Sequence, residues 1–73
     1  MHLQILSLGG TLFEGEVAQV SLPAKDGEIT ILKNHIPLIT ILKKGEVKFE
    51  GKNISIEGGF AEIDGKKVVV LAN

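Results

Sequence analysis

Apolar and polar residues alternate along most of this chain, in short stretches that glycine-containing turns separate. The clearest stretch is Glu46-Val47-Lys48-Phe49-Glu50, in which charged and apolar residues strictly alternate. A period of two places Val47 and Phe49 on one face of a β-strand. Comparable runs occupy residues 2–6, 16–22, 28–32, 36–42, 53–57, 60–63 and 67–71. The pattern predicts seven or eight short strands and therefore an all-β fold, either a sandwich or a flattened barrel.

Turn-forming residues fix where several of these strands should end. Pro23 should end the run over residues 16–22, because proline donates no hydrogen bond to a strand ladder. Gly51-Lys52 forms a plausible two-residue hairpin loop, and Asp64-Gly65 is a pair favoured in type I′ turns. Each predicted strand is thus followed by its own turn, which supports the all-β interpretation.

The length of 73 residues allows one domain, which we assign to residues 1–73. The absence of cysteine excludes disulfides and a thiol nucleophile. A net charge of −1, with neither tyrosine nor tryptophan, argues against a nucleic-acid partner. The apolar runs are too short to span a membrane, and the N-terminal residues do not form a targeting segment.

Candidate catalytic groups are few. His2 and His35 show no spacing that indicates a shared metal site, and we expect both to be structural or surface residues. Acidic residues two positions apart, such as Glu14 and Glu16, usually form the solvated face of a strand. The glycines match no phosphate-binding loop, and the serines lie outside any nucleophile motif. We expect no enzymatic activity, no catalytic residue, no metal and no cofactor.

One run departs from simple alternation. Over residues 36–42, both faces of the predicted strand would be apolar, whereas a sandwich strand normally has one polar face. If Ile39 and Ile41 point inward, Leu38 and Leu42 flank Thr40 on the outside, with Ile36 nearby. Exposed apolar patches mark interaction surfaces, so we predict that a partner protein binds here.

The order of certain residues resembles a known family. The residues that carry the resemblance run through most of the chain and are Phe13, Gly15, Val17, Val20, Leu22, Pro23, Gly27, Ile31, Leu32, His35, Pro37, Leu38, Lys44, Gly45, Gly58, Gly59, Phe60, Val70, Leu71 and Ala72. In this spacing the chain closely resembles the N-terminal β-sandwich domain of the ε subunit of F-type ATP synthases.

The resemblance implies a flattened ten-stranded sandwich of two five-stranded sheets. It also implies a non-catalytic subunit of the central rotor stalk, which binds the γ subunit and the c-ring and couples transmembrane ion flow to ATP synthesis. Such a subunit is peripheral, here at the cytoplasmic face of a bacterial plasma membrane. We predict that the γ-binding residues are His35, Ile36, Leu38, Thr40 and Leu42, from the two-sided apolar pattern of residues 36–42; the resemblance supplies only the identity of the partner. The implied c-ring contacts are Lys25, Asp26, Gly27 and Glu28.

The sequence departs from the family pattern in two respects. Thr30 and Lys33-Asn34 replace residues that are often Gly and Pro-Gly in the family. Most ε subunits also continue past the position of Asn73 into a helical hairpin that inhibits ATP hydrolysis and sometimes binds ATP, so we expect neither activity of these 73 residues.

An alternative function is a lipoyl- or biotinyl-type carrier module, which is also a small all-β domain with a lysine in a tight turn. Lys52 and Lys66 lie near predicted hairpin tips. Their sequence contexts, Gly-Lys-Asn and Gly-Lys-Lys, differ from the Asp-Lys-Ala or Met-Lys-Met typical of such carriers. A lipoyl or biotinyl adduct in the intact mass would support this alternative.

Overall fold

The computed structural model describes residues 1–33 and 36–73. These residues form nine β-strands, whose bounds are β1 (His2–Ser7), β2 (Gly10–Glu16), β3 (Gln19–Ala24), β4 (Gly27–Leu32), β5 (Leu38–Leu42), β6 (Gly45–Phe49), β7 (Lys52–Ile56), β8 (Gly59–Asp64) and β9 (Lys67–Ala72). The all-β prediction is confirmed. The implied count of ten strands is wrong for the described residues, which contain nine.

The strands join into one hydrogen-bonded path, in the order β2-β1-β9-β8-β5-β3-β6-β7, with β4 paired to the other edge of β3. Neighbours are antiparallel except β1 and β9, which are parallel. The β3–β5 ladder has a single residue pair, Ala24 with Leu42, and so does the β3–β6 ladder, Ser21 with Lys48. The Ala24–Leu42 pair connects a five-stranded layer (β2-β1-β9-β8-β5) to a four-stranded layer (β4-β3-β6-β7), so the described strands do not form two layers of five.

Apolar side chains from both layers fill the space between them. The largest fully buried residues are Leu3, Ile5, Val20, Leu22, Ile31, Val47, Ile63, Val68 and Val70. Each contributes ~1.5–3 kcal/mol when it leaves water. Within the described ranges no polar or charged side chain is buried. The groups that could recognise a partner are therefore on the surface.

Side chains close the gap between edge strand β2 and the β6–β7 hairpin. The rings of Phe13 and Phe49 lie 4.4 Å apart between centroids, and Lys52 Nζ is 5.4 Å from the centroid of the Phe13 ring. The backbone N–H of Ala18 donates to Glu50 Oε2 at 2.9 Å. The two ends of the strand path are thus drawn together, and the sheet curls around its core.

Two hairpin loops lie one residue away from their predicted positions. The β6–β7 loop is Glu50-Gly51 rather than Gly51-Lys52, since Phe49 pairs with Lys52. Both loop residues have positive φ, 48° for Glu50 and 78° for Gly51, as a type I′ turn requires. The β8–β9 loop is Gly65-Lys66 rather than Asp64-Gly65, a shift in the opposite direction, because Asp64 pairs with Lys67 and belongs to the ladder.

Pro23 does not end its strand. It lies inside β3, is buried, and faces Glu28 on β4. Its carbonyl oxygen accepts a hydrogen bond from the N–H of Lys43 at 2.9 Å. The missing N–H of Pro23 does not interrupt the strand, and β3 continues to Ala24.

Candidate partner-binding surface

Strand β5 carries most of the residues predicted to bind a partner, but its orientation is opposite to the predicted one. Ile39 and Ile41 are 69% and 61% exposed, whereas Leu42 is 3% exposed and belongs to the core. The inward assignment of Ile39 and Ile41, and the outward assignment of Leu42, are therefore wrong. Thr40 is partly buried and Leu38 is 40% exposed.

The register between β5 and β8 explains this orientation. Residues directly opposite each other in a sheet point to the same face. Thr40 is opposite Ala61, and Leu38 is opposite Ile63; both partners on β8 are buried. Leu38, Thr40 and Leu42 consequently turn toward the core. Of the remaining predicted residues, Ile36 is exposed, and His35 lies outside the described residues.

Four apolar residues follow one another across the outer face of the five-stranded layer. Ile41 is opposite Phe60, Phe60 is opposite Leu71, and Leu71 is opposite Leu6. Ile41, Phe60 and Leu71 are exposed, and Leu6 is partly buried. We call these four residues the outer apolar row. At ~4.8 Å between strands, the row is ~14 Å long.

Sequence reasoning missed Phe60 and Leu71, although a signal was present. Phe60 shares its strand parity with Glu62, so a register that exposes Glu62 also exposes Phe60. Strands β5 and β9, which are apolar on both faces, pair with the two edges of β8. Placing them there in the predicted sheet would have indicated a continuous apolar surface.

The turn predicted to touch the c-ring lies beside β5. Lys25 and Asp26 connect β3 to β4, and the N–H of Lys25 donates to the carbonyl oxygen of Ile41 at 2.9 Å. A cavity of about 230 Å³ lies between this turn and the inner side of β5, where Leu38 and Thr40 line it. The structure therefore brings the two predicted contact regions together.

The charges of this turn are exposed. Glu28 Oε2 lies 3.5 Å from Lys48 Nζ, and both side chains are about half exposed. Such a pair contributes little to folding stability in water. Glu28 and its neighbour Asp26 are thus available to contact a polar partner surface.

Comparison with known proteins decides the family. The protein-family model that describes the β-sandwich domain of the ATP synthase delta/epsilon chain matches residues 1–73 of this sequence. The chain belongs to this family.

Curated relatives agree with this assignment. The ATP synthase epsilon chain of Campylobacter curvus is 41% identical over 100% of this chain and 60% of its own length. That of Dichelobacter nodosus is 43% identical over 99% of this chain and 54% of its own length. The chain thus spans little more than half the length of these family members.

Two solved structures share the fold. A chain in a cryo-EM structure of part of the Euglena gracilis mitochondrial ATP synthase, which includes the c-ring, superposes with a TM-score of 0.84 at 25% identity, covering 96% of this chain and 48% of that one. A chain in the central stalk and c-ring of the Tetrahymena thermophila enzyme gives a TM-score of 0.79 at 11% identity, covering 99% and 62%. The second likeness concerns the fold alone.

The family assignment favours the ATP synthase hypothesis over a carrier module. Lys66 lies in the β8–β9 turn, and Lys52 is the first residue of β7 rather than part of a loop. Lys52 also stands over the Phe13 ring, where it takes part in closing the sheet. Of these two lysines, only Lys66 therefore lies in a hairpin loop.

His2 has a setting that its sequence spacing did not indicate. The antiparallel register of β1 and β2 brings it beside two carboxylates: Nε2 is 3.0 Å from Glu14 Oε2, and Nδ1 is 3.3 Å from Glu16 Oε2. In the part of the chain that the structure describes, no group of three or more His, Cys, Asp or Glu side chains could hold a metal ion. The two contacts of His2 with Glu14 and Glu16 connect the edge strand β2 to β1. The same part of the chain has no helix able to cross a membrane.

Proposed function

We propose that this chain is a non-catalytic subunit of the central rotor stalk of an F-type ATP synthase. It binds the γ subunit and the c-ring and couples transmembrane ion flow to ATP synthesis, and residues 1–73 act as one β-sandwich domain. The observation that carries the proposal is the family match over all of these residues, supported by the bacterial epsilon chains at about 40% identity. An apolar interior without buried polar groups in its described residues suits a rigid binding module.

The proposed location is peripheral, at the cytoplasmic face of a bacterial plasma membrane. Support comes from the bacterial relatives, which are subunits of ATP synthase by name. The subunit makes no direct membrane insertion and reaches the membrane sector through protein contacts.

The γ-binding surface is centred on the exposed face of β5 and on the outer apolar row. Of the sequence-based set, His35, Ile36, Leu38 and Thr40 stay predictions, whereas Leu42 is buried in the core. The orientation of β5 moves the centre of the surface to Ile39, Ile41 and Phe60. These three side chains are 47–69% exposed and contiguous. A patch of this kind is typical of protein interfaces.

Replacing Ile41 by glutamate tests this surface. A central apolar anchor contributes ~2 kcal/mol or more, so Ile41→Glu should weaken γ binding at least about thirtyfold. The measurement is the dissociation constant for the γ subunit of the same organism, by titration calorimetry. Leu32→Glu is the matched control, since Leu32 is 54% exposed but lies on the four-stranded layer. Equal affinity of Ile41→Glu and wild type would contradict the assignment.

The turn of Lys25, Asp26, Gly27 and Glu28 is the proposed contact with the polar loops of the c-ring. A cysteine at position 28, carrying a short photoactivatable cross-linker, should capture c subunits in the assembled enzyme. A cysteine at Asn53, exposed on β7, serves as the control. Asp26→Ala should loosen coupling only slightly, because exposed charge contacts contribute modestly. Capture of catalytic-head subunits alone from position 28 would argue against this placement.

A further inference from the structure

Glu62 stands as a carboxylate within the apolar surface of the five-stranded layer. It is exposed on β8, with Ile39 opposite on β5 and Val69 opposite on β9. Phe60, two residues earlier on the same face, belongs to the outer apolar row. In the described ranges Glu62 takes part in no ion pair. The lysine nearest in register is Lys67, which is directly opposite Asp64 and diagonal to Glu62 on the same face.

A cavity of about 400 Å³ opens beside this carboxylate. Its walls combine apolar and acidic side chains: Pro37, Leu38, Ile39, Glu62, Ile63 and Asp64. Asp64 Oδ1 accepts one hydrogen bond, from the N–H of Lys66 at 3.4 Å, and is otherwise exposed. The cavity thus offers an apolar wall for an alkyl stem and two carboxylates for a cationic head.

Burial of Glu62 against a partner has a physical consequence. A partner that covers Ile39, Phe60 and Val69 also removes water from the carboxylate between them. An ionised carboxylate that loses water without gaining an opposite charge strongly disfavours binding. A purely apolar partner surface is therefore a poor match for this face.

We propose that the partner seated on this face inserts a lysine or arginine side chain into the cavity and pairs it with Glu62. The alkyl stem packs on Pro37 and Ile39, as long basic side chains do on apolar surfaces, and the charged head lies between Glu62 and Asp64. The inference rests on the proposed function, in which the partner is γ. It makes Glu62 a residue that selects the partner, because a surface without a cation leaves the carboxylate unpaired.

Two substitutions of Glu62 distinguish this proposal from a purely apolar interface. Glu62→Leu extends the apolar surface, so it should tighten γ binding if the opposing surface is apolar. With a cation opposite, the same change leaves that cation buried and unpaired and should weaken binding at least about thirtyfold. Glu62→Gln keeps hydrogen-bonding capacity and should weaken binding about tenfold. The measurement is the dissociation constant for γ, and unchanged thermal melting shows that each variant is folded.

Glu46→Leu is the matched control, because Glu46 is exposed on β6 in the other layer and should leave affinity unchanged. Affinity of Glu62→Leu equal to or tighter than that of wild type would overturn the charge pairing. If Ile41→Glu weakens binding while Glu62→Leu does not, only this inference fails. If wild-type protein does not bind γ, the proposed function fails and the inference fails with it. Restored affinity of Glu62→Lys with a γ variant that carries one Lys or Arg→Glu substitution would identify the partner residue.

Discussion

Gly59→Ala should destabilise the fold by at least about 3 kcal/mol, which corresponds to a fall in Tm of about 12 °C or more. Gly59 begins β8 with a φ of 136°, a conformation that residues with a side chain rarely adopt. A methyl group added there would overlap the carbonyl oxygen of Leu71 and press on the backbone of Ala72. These atoms belong to the β8–β9 ladder, in which Gly59 pairs with Ala72, so they have little freedom to move aside.

Thermal and urea denaturation, followed by circular dichroism, measure the effect. Gly9→Ala is the matched control: Gly9 does not have positive φ, and the nearest atom to an added methyl group is Ser7 Oγ at 3.9 Å. It should change stability by less than about 0.5 kcal/mol. Similar stability of the two variants would show that β8 and β9 do not approach as closely at Gly59 as described.

Leu42→Glu should strongly destabilise the fold, whereas the neighbouring substitution Ile41→Glu should leave its stability nearly unchanged. Leu42 is 3% exposed and belongs to the apolar cluster, so a carboxylate there loses its hydration without gaining a partner. Loss of the leucine contacts and burial of a charge together cost about 4 kcal/mol or more. Ile41 is 61% exposed, so its replacement alters only the surface.

The comparison of these two variants tests the orientation of β5 directly. Their melting temperatures should differ by more than about 15 °C, with Ile41→Glu close to wild type. The opposite order of stability would mean that β5 turns Ile41 inward, as the sequence pattern first suggested. Because both variants carry the same new side chain, their net charges are identical and cannot cause the difference.

Strict alternation made part of this fold predictable. Val47 and Phe49 are buried and Lys48 is exposed, as the alternation of apolar and charged residues in β6 predicts. In the run over residues 28–32, Ile29 and Ile31 likewise share one face, on which Ile31 is buried and Ile29 packs against the core. In each case a polar residue between two apolar ones shows which face meets water.

The orientation of β5 could not be obtained in this way. Both of its faces are apolar, so the local pattern does not distinguish them. The deciding information is the non-local register with β8, where Ala61 and Ile63 are buried. The candidate site was therefore located on the right strand, but with the wrong side chains outward.

Strand β2 was missed for a different reason. It is an edge strand in which Thr11, Leu12 and Glu14 are all exposed, and only Phe13 and Gly15 are partly buried. Because Phe13 is its only large side chain that packs against the core, the sequence of β2 shows no extended apolar–polar alternation. Its existence follows from backbone pairing with β1, which composition does not reveal.

The parallel pairing of β1 with β9 has a consequence for how the chain acquires its structure. His2 pairs with Lys67, and Leu6 with Leu71, so this ladder joins residues from opposite ends of the sequence. Contacts between distant residues slow folding, because a long loop must close before they form. During synthesis, β1 therefore cannot pair with β9 until β9 has left the ribosome. Until then Leu3 and Ile5, which later become fully buried, lie beside an unpaired strand edge, where other unfinished chains can attach.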